Sequence, residues 1–439
     1  MLHIIDRPFR SILLLIAYCL LLIVLFSCST QKQIAKSAKE NVLNAAALQT
    51  AHVGISIYEP AANKYWYNYQ GEHYFVPASN TKIPTCYAAM KYLGDSLVGL
   101  RYNITTDTIL TIVPTGDPTF LHPDYNTQPV FTFLKKFRKI IYGGGAIESL
   151  GSGWSWNDYE ESYMAPMSPF PIYGNLLKIK WLNKDSLVMV PRHFQKNPET
   201  GSKGFKAVRK FDENVFYFFE GNNKEQSIPF VPGRETIVAL LEDTLINDQV
   251  YWPSHLPRGE ELKTLKTIYS QPTDSLLKPM MHRSDNFFAE QSLLMVSNER
   301  LGIMNDAKII DTLLKTDFKD LPQKPRWVDG SGLSRYNLFT PQDFVAILNK
   351  MKNEFGMDRI KVIFPTGGEG TISSYYKTES GYIFAKTGIL SGVVAISGFL
   401  YTKKNKLLIF SVLINNHNNS ATDVRRAIEK FLQGMRNKY

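Results

Sequence analysis

The sequence predicts an α+β fold: one antiparallel sheet with helices packed on its faces, a helical subdomain, and an inserted, largely β region. Three observations carry that expectation. Two strand-like runs near the N-terminus and three near the C-terminus bracket a helical block, so one sheet joins both ends of the chain. The chain closes on an amphipathic helix in which Val424, Ile428, Phe431 and Leu432 recur at i, i+4, i+7 and i+8. Between residues 100 and 230, short β-rich pieces broken by Gly and Pro replace the helical texture.

Composition narrows the function classes. The 439 residues are 44% hydrophobic, 13% aromatic and 21% charged, enough apolar surface to offset the entropy of ordering. With 28 Gly and 23 Pro, collagen-like and low-complexity architectures are excluded. The formal net charge of +10 comes without a basic arm or stripe, so it reads as a solvated surface, and no nucleic-acid motif accompanies it. Eight His include no His-Glu-x-x-His, and three Cys cannot build a disulfide framework. No metal, cofactor or nucleic-acid partner is therefore expected, and the oligomeric state is left open.

The elements follow in order. Arg7 and Arg10 precede an almost wholly apolar run, Ser11 to Phe26, which marks residues 1–27 as a secretory leader. Leu25-Phe26-Ser27-Cys28 resembles a bacterial lipobox, which implies lipidation of Cys28 and a protein tethered to a membrane, facing the periplasm. Ser29 and Thr30 carry no acidic retention signal, which points to the outer membrane. Cys19 leaves with the leader, so Cys86 becomes the one free thiol and is expected to be buried. Gln31 to Thr50 reads as a tether running into a helix. His52–Tyr58 and Lys64–Tyr69 alternate around Pro60-Ala61-Ala62-Asn63 as a hairpin. A helix begins near Ser79, with Pro84 expected to remove a hydrogen bond or kink it. Residues 101–230 form the insertion, with strands in Tyr102–Val113 and Ser186–Val190. Helical patterning returns at Glu235–Leu245, Asn286–Leu301, Asp306–Lys315 and Pro341–Lys352. Tyr382–Lys386, Val393–Tyr401 and Lys406–Ile414 make a meander, turned at Lys403-Lys404-Asn405.

Ser-x-x-Lys occurs four times, as Ser29–Lys32, Ser79–Lys82, Ser275–Lys278 and Ser374–Lys377. Only Ser79–Lys82 stands at a strand-to-helix transition, where i and i+3 share one helix face and backbone N–H groups can meet an oxyanion. A serine hydroxyl needs an adjacent base, and lysine serves only when burial or a second cation lowers its pKa. Lys386-Thr387-Gly388 supplies that cation at a strand end. Gly388 admits close backbone approach, Lys386 and Thr387 can hold a carboxylate, and the strand edge can pair with an extended peptide. Ser284-Asp285-Asn286 opens a helix, with a serine to relay a proton and an amide-binding Asn.

These three motifs resemble those of the penicillin-recognising serine enzymes, and more closely the D-alanyl-D-alanine carboxypeptidase/endopeptidase family, the class C low-molecular-mass penicillin-binding proteins. Ser284 follows Ser79 by 205 positions (284 − 79), and that family carries extra domains in this gap. Gly116-Asp117-Pro118-Thr119, Trp154-Ser155-Trp156-Asn157-Asp158 and Ala165-Pro166 are similar to its insertion motifs. The runs Asp329 to Arg335 (DGSGLSR) and Gly367 to Thr371 (GGEGT) also match it. The resemblance implies a β-lactamase/transpeptidase-like domain built from residues 28–100 and 231–439. It implies that Ser79 attacks the D-Ala-D-Ala carbonyl with Lys82 as base, that Ser284 helps protonate the leaving amine, and that Asn286 contacts the substrate amide. Lys386 and Thr387 would bind the terminal carboxylate, and N–H groups of Ser79 and Ile389 would form the oxyanion hole. Peptidoglycan stem peptides are the implied substrates and β-lactams the implied inhibitors. A serine β-lactamase and an inert wall-binding lipoprotein stand as alternatives.

Overall fold

The computed structural model describes residues 31–106, 108–183, 186–196, 205–253 and 264–439. The expected leader and Cys28 lie outside them. Residues 31–43 form helix α1, ending in a π turn over Lys39–Leu43. Its Ile34, Ala38 and Val42, four apart, are buried, so the stretch expected as a tether running into a helix is helical from Gln31 and packs into the core. Strands β1 (His52–Glu59) and β2 (Lys64–Tyr69) form the expected hairpin. A 3₁₀ turn over Ala78–Thr81 then leads into α2 (Lys82–Tyr92). Pro84 is the third residue of α2. An N–H there has no intrahelical partner in any helix, so the proline neither removes a hydrogen bond nor kinks the helix as expected. Cys86 is buried in the same helix as a free thiol.

The insertion holds strands β3 (Ser96–Thr106), β4 (Ile109–Pro114), β5 (Lys139–Tyr142), β6 (Leu176–Asn183), β7 (Ser186–Val190), β8 (Lys206–Arg209), β9 (Phe216–Phe219), β10 (Glu225–Pro229), β11 (Val250–Tyr251) and β12 (Lys266–Pro272), with α3 (Pro129–Leu134) and α4 (Arg234–Leu245). β11, β5, β4, β3 and β12 form one five-stranded sheet, and β10, β6 and β7 another. Expected bounds of 101–230 are too narrow. The first and last strands, β3 and β12, pair antiparallel, and the Thr273 N–H donates to Asp95 O at 2.9 Å. Ile237, Leu240 and Leu241 of α4 pack into the core of this region, not into the C-terminal part of the other domain. Periodicity marks α4 as amphipathic but does not say which sheet its apolar stripe covers.

Four helices follow, α5 (Thr273–His282), α6 (Asn286–Leu301), α7 (Asp306–Lys315) and α8 (Pro341–Ile363), the last broken at Gly356. Strands β13 (Ile383–Leu390), β14 (Val393–Tyr401) and β15 (Leu407–Asn415) and helix α9 (Ala421–Lys438) complete the chain. The sheet order is β13-β14-β15-β1-β2, antiparallel throughout, as expected from the two ends of the sequence. Its central strands are apolar at nearly every position because both faces are covered. Ile409 and Leu413 point into a core shared with α2, α5, α6 and α8, while Leu408, Phe410 and Val412 meet Val424, Ile428 and Phe431 of α9. β13 is an edge strand, as is β2, and the C-terminal end of β13 frames the cleft described next.

Candidate active site

The turn that carries Ser79 is fixed from three sides. Asn415 holds Val76, accepting from its N–H at 2.8 Å and donating to its carbonyl at 3.0 Å. Gly388 of β13 lies so close that a Cβ there would sit 2.7 Å from Pro77 O and 2.9 Å from Ser79 N. A Cβ on Gly332 would fall 1.9 Å from Ala78 O. Gly388, expected to let a substrate approach, also lets β13 approach the backbone of Ser79 itself. Ala78 takes a left-handed φ of 47°, uncommon for a residue with a side chain, which these neighbours hold in place. The helix expected to begin at Ser79 starts at Lys82, but the 3₁₀ turn keeps i and i+3 on one side.

Lys82 is fully buried, and its Nζ has three oxygen neighbours: Ser79 Oγ at 3.0 Å, Asn286 Oδ1 at 2.6 Å and Ser331 O at 2.7 Å. As a neutral amine, Nζ has two N–H donors and one lone pair. Asn286 and Ser331 occupy the donors, so the lone pair faces the Ser79 hydroxyl, as a general base requires. Across the site, Lys386 Nζ donates to Ser284 Oγ at 2.8 Å and to Thr387 O at 2.6 Å. Ser284 has a φ of 62°, which aims it there from the α5–α6 junction. Thr387 Oγ1 donates to Thr371 Oγ1 at 2.7 Å.

Burial lowers the Lys82 pKa to about 8, against the opposing pull of Glu290, Asp329 and Asp285. Lys386 also lies well below its ordinary value, first through burial and then through repulsion from Lys82 and Arg425. The second cation was expected to depress Lys82; burial does so, and the repulsion falls on Lys386. With neutral Lys82 as the expected base, acylation of Ser79 should rise about tenfold per pH unit below 8 and level off above it. Quenched-flow mass spectrometry with benzylpenicillin checks the profile, and a flat response from pH 6 to 9 would rule Lys82 out as base.

An open cleft of about 560 Å³ runs over these groups, lined by Ser79, Ser284, Asn286, Thr387 and Ile389. Lys82, Lys386 and Gly388 lie behind it. Ile389 is exposed at the end of β13. The opposite wall comes from the insertion, with Trp154, Ser155, Asp158 and Tyr163. The family model of the D-Ala-D-Ala carboxypeptidase 3 (S13) family matches residues 35–198 and 219–435. The chain belongs to that family. It is a serine-type hydrolase of the D-alanyl-D-alanine carboxypeptidase class. It is similar to D-alanyl-D-alanine carboxypeptidase DacB of Haemophilus influenzae, at 24% identity over 85% of this chain and 87% of that one. The D-alanyl-D-alanine carboxypeptidase of Actinomadura sp. is 23% identical over 87% of this chain and 80% of that one. In fold it resembles crystalline penicillin binding protein 4 of H. influenzae, with a TM-score of 0.70 at 20% identity, covering 92% and 98% of the two chains.

Two carboxylates of this S13 carboxypeptidase shape the site: Glu290, which the sequence reading missed, and Asp329, which it named only as the start of the DGSGLSR run. Glu290, one helical turn after Asn286, accepts from the N–H groups of Gly330 (2.8 Å) and Ser331 (2.7 Å), and so turns the Ser331 carbonyl toward Lys82. Asp329 accepts from Gly332 N, Ser334 N, Asn337 Nδ2 and Trp154 Nε1, at 2.6 to 3.0 Å. Burial raises both pKa values; the nearby Asp329 adds to the rise at Glu290, whereas the hydrogen bonds that Asp329 accepts oppose its own. The i+4 spacing from Asn286 to Glu290 was a usable signal, because it places both on one helix face. Asn286 itself is engaged at both ends, since its Nδ2 donates to Tyr163 O at 2.9 Å. Its expected contact with a substrate amide would have to displace that carbonyl.

Proposed function

We propose that the chain hydrolyses the terminal D-Ala-D-Ala bond of peptidoglycan stem peptides, and D-Ala crosslinks, through a Ser79 acyl-enzyme, held at the periplasmic face of the outer membrane by a lipid on Cys28. The observation that carries this reading is the Lys82 Nζ to Ser79 Oγ distance of 3.0 Å, with the other two Lys82 positions already filled. Lys82 takes the Ser79 proton as Oγ attacks the carbonyl, and the N–H groups of Ser79 and Ile389 meet the oxyanion. Lys82 passes that proton through Ser284 to the departing D-alanine nitrogen as the C–N bond breaks. Water then adds to the ester, again with Lys82 as base, and releases the shortened peptide. Thr387 and Ser284 meet the substrate carboxylate in the cleft, and its charge favours the protonated form of Lys386, buried behind them. The unpaired end of β13 offers N–H and C=O groups to an extended peptide.

Support for endopeptidase action comes from a predatory peptidoglycan endopeptidase of Bdellovibrio bacteriovorus with the same fold (TM-score 0.54, 13% identity, covering 89% and 93% of the chains). A form of that enzyme acylated by penicillin G supports β-lactam inhibition here. Intact-mass measurement after benzylpenicillin treatment is expected to show one long-lived adduct, mapped by digestion to the peptide containing Ser79. Drug turnover without an adduct would favour a β-lactamase instead. No reaction at all would leave the inert wall-binding reading.

A further inference from the structure

The positive charge is spread along the sequence, but the fold gathers part of it around the start of the described chain. Gln31 Nε2 donates to Tyr65 O at 3.2 Å, beside Lys64. Tyr439 O–H donates to Gln33 Oε1 at 3.4 Å, which brings the end of α9, with Lys438, against the start of α1, with Lys32. The β14–β15 turn closes on the same spot, with the Lys403 N–H donating to Arg436 O at 3.0 Å and the Lys404 N–H to Tyr439 O at 3.1 Å. Lys406 pairs with Glu59 at 3.0 Å and stands over the Trp66 ring, itself 5.3 Å from that of Tyr439. Lys32, Lys403, Lys404 and Lys438 are exposed and pair with no carboxylate among the described residues.

We propose that this lysine cluster is a docking face for the headgroups of anionic phospholipids. Cys28 precedes Gln31 by three residues, at most about 10 Å of extended chain. A lipid on Cys28 therefore brings the lysines to within roughly a Debye length of the bilayer surface, where each contributes about fivefold in affinity. To that extent the proposal rests on the anchor reading above. It adds an orientation. β14 runs from Val393, next to the cleft-lining Ser391, to Tyr401, next to Lys403. Its eight residue steps span about 27 Å. With the lysines on the lipid, the cleft lies at the far end of the sheet, on the side of the wall.

The test uses the chain from Ser29, which keeps every described residue and lacks the lipid. Co-sedimentation is measured with phosphatidylcholine vesicles, with and without 30% phosphatidylglycerol, for the parent and two charge-matched triple variants. One is Lys403→Glu/Lys404→Glu/Lys438→Glu; the other, on the insertion, is Lys180→Glu/Lys206→Glu/Lys224→Glu. The parent is expected to bind only the anionic vesicles. The first variant is expected to lose about 100-fold in affinity and the second less than fivefold, with penicillin acylation unchanged in both. Equal losses in the two variants would reduce the effect to net charge and overturn the proposal. So would parent binding that ignores phosphatidylglycerol, or a patch-dependent loss seen with isolated peptidoglycan sacculi but not with vesicles. Membrane fractionation of full-length Cys28→Ser reads the anchor separately, so its failure is distinguishable from failure of the lysine face.

Discussion

Lys82→Met is expected to slow acylation of Ser79 by benzylpenicillin about 10³-fold, the scale of a lost general base. Methionine keeps the length and apolar stem of lysine, so the α2 packing is retained. What disappears is the lone pair facing Ser79 Oγ and the two donors that hold Asn286 Oδ1 and Ser331 O. The buried Ser331 carbonyl is left unpaired, so stability falls as well, by about 1–3 kcal/mol, while Asn286 at the cleft wall can turn to water. Two further readouts separate lost catalysis from lost folding. Thermal unfolding must remain cooperative, and the residual acylation must no longer rise toward pH 8. Acylation within tenfold of the parent would place the base elsewhere.

The second large effect belongs to a residue with no side chain. Gly388→Ala is expected to lower acylation about 100-fold, because displacing a reacting group by about 1 Å costs that much. The new Cβ would meet backbone atoms of Pro77 and Ser79 at 2.7 and 2.9 Å, and backbone cannot step aside as a flexible side chain does. The overpacking also costs about 1–3 kcal/mol of stability. Gly392, two residues beyond the end of β13, is the matched control. Its φ is 74° and the nearest atom to a Cβ there is 3.6 Å away, so Gly392→Ala strains the backbone without moving Ser79. Second-order rate constants for penicillin acylation, with unfolding midpoints, compare the two. Equal losses in both variants would show that strand destabilisation, not displacement of Ser79, is responsible.

Much of this site is legible in the sequence, because its chemistry is written in short motifs at element junctions. Ser79, Lys82, Ser284 and Lys386 meet within hydrogen-bond distance along pairs that the motifs name. The five-stranded sheet is legible too, since strands apolar at nearly every position must be covered on both faces. Other features are set by tertiary neighbours that local pattern does not encode. The apolar stripe of α4 fits either of two cores. Pro84 looks disruptive until the 3₁₀ turn before it shows that α2 starts only two residues earlier. The commitment of Asn286 to Lys82 and Tyr163 depends on a carbonyl 123 residues away in the chain. The lysine cluster is invisible in sequence for the same reason, since segments far apart in the chain each supply a part of it.

The pairing of β3 with β12 has a consequence for how such a chain can exist at all. The polypeptide leaves the catalytic domain at Asp95 and returns at Thr273 through what amounts to a single doorway, 2.9 Å wide from carbonyl to amide. Seen from the catalytic domain, the whole excursion has the end-to-end span of a tight turn. Because its ends already meet, the excursion places no stretching demand on its host, and lengthening it adds only the slow logarithmic cost of a longer loop. Its far strands and loops are therefore free to vary in size without disturbing the spacing of Ser79, Ser284 and Lys386. The segment that walls the cleft through Trp154 and Tyr163 is not free in this way, because it faces the serine directly.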